Sequence, residues 1–293
     1  MSEEVAQKIT GHTELLGLIA YPIRHSSSPR MHNLALAKLG LNYAYLVFEV
    51  DSSELKGAIQ AFRVLKVRGW NVSMPNKVDV IHYLDKVSTA VELIGACNTV
   101  VNDGGVLTGE NTDGLGYVAA LRQNGVDIRG KKLTLIGAGG AASAIATQAA
   151  LDGAESVDIF NRRDAFYGKA EETAARISSR TAAKVTIRDL DDVAGLRASV
   201  ARATVLANAS KMGFKGELEN RSPLPDTSML RPDLFVSDAV YVPMKTKFLG
   251  QAEAAGCRWM SGIPMMLQQG AAAFKMWTGK DMPLDYVTEH LFA

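Results

Sequence analysis

A short apolar run that ends in clustered glycines and passes at once into an alanine-rich stretch constrains this chain more than any other segment. The run is Lys132-Leu-Thr-Leu-Ile-Gly137-Ala138-Gly139-Gly140-Ala141-Ala142-Ser143, and residues 141–151 continue without a proline. That order reads strand, tight turn, helix. Glycines let the backbone approach a phosphate, and the free N–H groups of a first helical turn face its charge. The spacing Gly137-x-Gly139-x-x-Ala142 fits the dinucleotide fingerprint in the form that closes on alanine. The same letters occur in plain turns, so the flanking strand and helix carry the reading.

With 293 residues the chain is long enough for two domains. A net charge of +1 provides no basic field for nucleic acid or a membrane surface. The two cysteines, Cys97 and Cys257, share no metal-ligand spacing and suit a reducing cytosol. Residues 1–10 lack the basic start and apolar core of a signal peptide, and no apolar run is long enough for a bilayer. A soluble cytoplasmic protein is expected.

Strand-like and helix-like segments alternate throughout. Residues 15–20 form an apolar run; Ser28-Pro29 opens a helix to about Leu39, with Ser28 as N-cap and Gly40 just past the end. Residues 43–50 read as strand, 53–67 as an amphipathic helix, 70–74 as strand and 77–84 as helix. Residues 98–102 and 106–108 read as a hairpin turning at Asp103-Gly104-Gly105. Beyond a linking helix at 115–124, strands at 133–136, 157–160, 184–187, 205–208 and 234–240 alternate with helical segments. Such βα repetition calls for a parallel sheet covered on both faces. The tail from Met265 reads as helical and is expected to return to the first domain.

Several segments carry polar groups suited to a small ligand. Arg24-His25-Ser26-Ser27-Ser28-Pro29 gathers three hydroxyls and backbone N–H groups at a helix start, a place for a carboxylate. Read alone, Ser28 is a cap, and Ser26 and Ser27 are solvated turn residues. Lys77, just after Ser73-Met74-Pro75-Asn76, reads alone as a surface charge, and Asn111-Thr112-Asp113-Gly114 as a capped turn. Together, Ser26, Ser28, Ser73, Lys77, Asn98 and Asp113 all fall at strand ends of one α/β domain, where ligands gather. The five histidines show no metal-ligand spacing.

In order and separation these pieces resemble the shikimate dehydrogenase family over nearly the whole chain. The match includes Gly95-Ala96-Cys97-Asn98-Thr99-Val100, Asn161-Arg162-Arg163 and Gln269-Gly270-Ala271 beside the segments above. Ser73, where many members carry threonine, and Asn161-Arg162-Arg163-Asp164 look more like the quinate/shikimate branch. The resemblance implies an N-terminal αβα substrate domain, residues 1–114 joined by 265–293, and a Rossmann-like dinucleotide domain, residues 115–264. It implies hydride transfer between NAD(P) and shikimate or 3-dehydroshikimate, and quinate or 3-dehydroquinate, in aromatic amino-acid biosynthesis.

By the same resemblance, Ser26 and Ser28 hold the substrate carboxylate with Tyr45 and Gln269 nearby. Ser73, Asn98 and Thr112 surround the ring hydroxyls, and Lys77 and Asp113 are the catalytic pair. Gly137, Ala138, Gly139, Gly140 and Ala141 take the pyrophosphate. Asn161, Arg162, Arg163 and Asp164 take the adenosine ribose; Lys211, Tyr241 and Gly262 meet other parts of the dinucleotide. The arginines favour a 2′-phosphate and Asp164 opposes it; the branch resemblance leans to NAD, with NADP also usable. No metal is implied, no nucleic-acid or membrane partner, and a monomer or homodimer. Val242, where a Tyr-Asn-Pro sequence is common, and Pro264, where glycine is usual, depart from the family pattern. Two alternatives stand beside this reading. One is a folate-linked methylene dehydrogenase, which lacks the serine trio; the other is a dinucleotide sensor that has lost chemistry, against which Lys77 and Asp113 speak.

Overall fold

Two six-stranded sheets organise the chain. The computed structural model describes residues 9–292, so the N-terminal stretch read as lacking a signal peptide lies mostly outside the described residues. The chain divides into two compact units, one from Met1–Thr112 with Gly270–Ala293, the other Asp113–Gln269.

The first unit contains β1 (Glu14–Ala20), α1 (Ser28–Lys38), β2 (Tyr43–Glu49), α2 (Leu55–Val64), β3 (Gly69–Val72), β4 (Lys86–Val87), α3 (Thr89–Ile94), β5 (Thr99–Asp103) and β6 (Val106–Glu110). Its sheet runs β2-β1-β3-β5-β6-β4. β1 lies parallel between β2 and β3, and residues 16–20 are all buried, as a continuous apolar run in an interior parallel strand requires. β5 runs antiparallel to both β3 and β6, through a two-residue turn with Gly104 and Gly105 at φ 62° and 95°. That reversal brings the start of β5 to the same sheet edge as the ends of β1, β3 and β6. Trp70, Ile59, Phe62 and Val100 anchor the core on one face.

Three local expectations need correction. Residues 77–84 form only a 3-10 turn at Asp79–Tyr83, because Val80 alone is buried there and no helical face exists to pack. The helix expected over 53–67 ends at Val64; Lys66 turns back at φ 55°, and Leu65 is 70% exposed. Ser28 is the first residue of α1 rather than its cap. Ser27 takes the cap position and makes no side-chain cap bond, while the Ser26 hydroxyl oxygen accepts the Ser28 N–H at 3.2 Å.

The second unit follows α4 (Thr112–Gln123) with β7 (Lys132–Ile136), α5 (Gly140–Leu151), β8 (Ser156–Asn161), α6 (Tyr167–Arg180), β9 (Lys184–Asp189), α7 (Val193–Arg202), β10 (Val205–Asn208), β11 (Phe235–Asp238), α8 (Lys247–Ala254) and β12 (Arg258–Met260). All its strands are parallel, in the order β12-β11-β10-β7-β8-β9. The first strand therefore sits centrally, with the next two to one side and the last three to the other. The order reverses between β7 and β10, and ligands of such sheets bind at that switch point. β12 and β4 were not anticipated, since three and two residues are too short to show a period.

The chain then enters α9 (Gly262–Thr278) and α10 (Leu284–Leu291). In the first unit the Trp277 indole N–H donates to the Val100 carbonyl at 3.0 Å. Arg68 reaches the Trp277 carbonyl at 3.0 Å, so the tail is bound into that unit's sheet.

Candidate active site

In the first unit, Ser26 and Ser28 stand just past the end of β1, and Tyr45, Asn98 and Thr112 are linked by buried hydrogen bonds that run through Asn71 and Thr99. Ser26 and Ser28 sit where β1 gives way to α1, at the N-terminus of that helix. Arg24 in the same loop is turned away: its Nε donates to Glu49 Oε2 at 3.1 Å, and that bond holds the Glu49 carboxyl below its usual range. Tyr45 is wholly buried, and its hydroxyl donates to Asn71 Oδ1 at 2.7 Å. Burial pushes the Tyr45 phenol well above its ordinary pKa, with the Ser28 hydroxyl pulling the other way. The chain continues inward: Asn71 Nδ2 donates to Thr99 Oγ1 at 3.0 Å, and Thr99 Oγ1 donates to Asn98 Oδ1 at 2.9 Å. Asn98 Oδ1 accepts the Thr112 N–H at 2.8 Å. Asn71 and Thr99 were not among the anticipated contacts, although both lie beside named motif residues.

The segment carrying Ser73 and Lys77 is pinned at both ends. The Ser73 N–H donates to the Ile19 carbonyl at 3.0 Å, and the Lys77 carbonyl accepts from the Cys97 N–H at 2.8 Å. Asn76, buried, donates from Nδ2 to the Val50 carbonyl at 2.8 Å. Both side chains of interest are partly exposed at the strand-end edge. Burial drives the neighbouring Cys97 thiol up to about 12, so it is not a nucleophile. Asp113 follows Thr112 on α4, and Gln269 lies on α9; both belong to the second unit. There Gly116 admits the Gln269 backbone so closely that an added Cβ would stand 2.5 Å from its nitrogen.

In the second unit, Gly137 ends β7 at φ 114°, and a Cβ there would lie 2.7 Å from both the Ala209 carbonyl carbon and the Ser210 nitrogen. Glycine is required by the close approach of β7 and the loop after β10. Gly139 and Gly140 differ: neither has a left-handed φ, and an added Cβ would meet nothing within 4 Å. Protein packing does not explain these two glycines. Gly262 has a packing reason of its own, since a Cβ there would stand 2.4 Å from the Ala239 oxygen.

A cavity of about 360 Å³ opens beside this turn, lined by Gly137, Asn161, Arg162, Asp164, Ser210 and Lys211 among others. Its remaining wall includes Leu190, Val193, Leu218, Pro223 and Pro225, a flat apolar surface the sequence did not announce. Asp164 is occupied locally: Oδ1 accepts from Asn161 Nδ2 at 3.0 Å and from the Phe166 N–H at 2.9 Å. Arg163 pairs with Asp189 at 2.9 Å and lies over the Tyr167 ring, 4.9 Å from its centroid. Lys211 and Tyr241 are exposed on the loops after β10 and β11. A shallower depression of about 510 Å³ lies near the amino end of β7. Its Arg122 and Arg129 are already paired with Asp152 and Asp127.

The sheet order, the glycine turn at its switch point and the adjoining cavity define a Rossmann-like, nucleotide-binding α/β protein. Residues 18–100 match the model of the shikimate dehydrogenase substrate binding domain, and residues 262–292 that of the shikimate 5′-dehydrogenase C-terminal domain. Shikimate dehydrogenase (NADP(+)) of Listeria monocytogenes is 56% identical over the full length of both chains. The crystal structure of a Listeria monocytogenes shikimate 5-dehydrogenase with shikimate and NAD superposes at a TM-score of 0.95, with 57% identity over 97% of this chain and 98% of that one. The quinate dehydrogenase of Corynebacterium glutamicum with NAD gives 0.84 at 27% identity, covering 96% of this chain and 98% of that one. The chain belongs to the shikimate dehydrogenase family.

Proposed function

We propose that this chain interconverts shikimate and 3-dehydroshikimate with a nicotinamide dinucleotide, as an oxidoreductase of aromatic amino-acid biosynthesis. The observation that carries the reading is the pairing of two features in one chain. One is a hydroxyl-rich helix start next to Tyr45, whose hydroxyl is linked by buried hydrogen bonds through Asn71 and Thr99 to Asn98 and Thr112; the other is a glycine turn whose open glycines fit a pyrophosphate.

In this reading Ser26 and Ser28 bind the carboxylate with their hydroxyls and the positive end of α1. Tyr45 holds Ser28 in place from beneath, and Gln269 adds an amide. Ser73, Asn98 and Thr112 orient the ring hydroxyls. Lys77 donates a hydrogen bond to the reacting oxygen; in the reducing direction it gives that oxygen a proton, and in the oxidising direction it takes one back. Asp113 is assigned to orient the reacting hydroxyl. The dinucleotide supplies the hydride acceptor or donor.

For the dinucleotide, the N–H groups from Ala138 to Ala141 face the pyrophosphate and the apolar wall of Leu190, Val193 and Pro223 takes the adenine. Arg162 and Arg163 face the ribose, and Lys211, Tyr241 and Gly262 border the remainder. We assign NADP as the preferred cofactor, with NAD also used, reversing the lean toward NAD. The support is that Arg162 lines the cavity beside the glycine turn while the Asp164 carboxylate is held by Asn161 and the Phe166 N–H, and that the Listeria relative is named for NADP(+). Quinate is assigned as a second substrate, because Ser73 lacks the methyl of threonine and leaves room for an added ring hydroxyl.

The test is a steady-state comparison of both acids with both dinucleotides, followed by nicotinamide absorbance. Turnover of shikimate with NADP at the highest kcat/KM is expected. Dinucleotide binding without turnover of either acid would instead establish a sensor.

A further inference from the structure

We propose that Asp238 is a positioning residue for dinucleotide binding, a buried carboxylate that ties the loop after β10 to the loop after β11 and sets where Lys211 and Tyr241 stand. The inference rests on the cofactor reading above and adds a residue that touches no ligand.

Asp238 ends β11 and is 1% exposed. It lies in register with Asn208 at the end of β10, so both loops leave the sheet side by side. Its Oδ1 accepts from Asn208 Nδ2 at 2.9 Å and from the Val240 N–H at 2.9 Å. Its Oδ2 accepts from the Thr246 hydroxyl at 2.6 Å. Each partner organises a loop in turn. Asn208 Oδ1 accepts from the Ser210 N–H at 3.0 Å, and its Nδ2 also donates to the Met212 carbonyl at 2.8 Å, which brackets Lys211. Val240 precedes Tyr241, and Thr246 closes that loop by capping α8, accepting the Leu249 N–H at 3.3 Å. One side chain thus braces both segments.

A carboxylate is a costly choice for this task. All three partners are neutral, and burial raises the Asp238 carboxyl to about 6. An ionised carboxylate is acceptor-only and satisfies three converging donors at once; an asparagine presents one oxygen and turns an amide N–H toward one of them.

The experiment compares Asp238→Asn, Thr246→Val, Thr246→Ser and Lys211→Ala by steady-state kinetics, with shikimate and NADP varied in turn. Asp238→Asn and Thr246→Val are each expected to raise the KM for NADP about tenfold, the scale of one charge-assisted hydrogen bond, and to leave the KM for shikimate within about twofold. Thr246→Ser, which keeps the hydroxyl, is expected to restore parental values. If Asp238→Asn does not fold, the valine and serine variants at Thr246 decide. An unchanged KM for NADP in the folded variants, or equal rises for both substrates, overturns the proposal. Lys211→Ala separates the two levels: if it leaves the KM for NADP unchanged, the cofactor reading fails. If it raises that KM while Asp238→Asn does not, only the role of Asp238 falls.

Discussion

The imidazole of His32 lies flat against the phenol ring of Tyr45, centroids 4.4 Å apart and planes 12° from parallel. Both rings are fully buried, and Phe274 and Trp277 close the cluster at 6.2 and 5.3 Å from His32. Neither nitrogen of His32 has a hydrogen-bond partner. Asn33, the next residue on α1, clamps the Tyr45 backbone with two bonds of 2.9 Å. Adjacent residues of one helix therefore fix both the ring and the main chain of Tyr45, whose hydroxyl lies under the serine loop.

A buried, unpaired imidazole makes the fold acid-labile. Burial lowers the His32 pKa from 6.5 to about 3. Between those values the unfolded chain holds a proton that the folded chain does not, so this contribution is complete above pH 6.5 and is lost as pH falls toward 3. From pH 7 to pH 5 the loss amounts to about 2 kcal/mol. Urea unfolding at both pH values checks this: His32→Phe should weaken the pH dependence by about that amount, whatever its effect at pH 7.

Removing the Tyr45 hydroxyl leaves Asn71 Oδ1 without its donor. Tyr45→Phe should cost about 1–3 kcal/mol of stability. It should also raise the KM for shikimate while leaving that for NADP in place. Thermal unfolding and steady-state kinetics on one preparation read both effects.

The two kinds of glycine in the β7 turn should separate on substitution. Gly137→Ala forces a side chain into a left-handed φ of 114° and against the Ala209 backbone, and should destabilise the chain by about 3 kcal/mol or more. Gly139→Ala meets open space and should leave the melting temperature within a few degrees, yet raise the KM for NADP about tenfold. Calorimetry and kinetics together distinguish a packing glycine from a ligand-facing one.

Selectivity between dinucleotides should follow Arg162. Arg162→Ala should lower kcat/KM with NADP about tenfold or more and change that with NAD by less than about twofold. Equal losses with both would place the arginine elsewhere than at a 2′-phosphate.

Periodicity and turn chemistry made much of this fold legible. The β7–α5 segment, the Gly104-Gly105 hairpin and β10 at Val205–Asn208 stand where their residues predict. The errors arise where short-range signals compete. Ser28 beside Pro29 looks like a cap, yet the Ser26 hydroxyl takes the Ser28 N–H and Ser28 enters the helix. Edge strands such as β12 depend on pairing with β11, which no local pattern reveals. The site residues visible in sequence are those with unusual company, such as the serine trio. Asn71, Thr99 and Asp238 were illegible because each acts through a bond to a neighbouring strand far away in sequence, Asn71 to Thr99 and Asp238 to Asn208, which only the folded sheets create.

The central claim is that Lys77 handles the proton of the reacting hydroxyl, and kcat for shikimate oxidation in Lys77→Ala tests it most directly. The account predicts a fall of about a thousandfold or more, with the KM for NADP near its parental value. Turnover within about tenfold of the parent, worth roughly 1.4 kcal/mol, would contradict it.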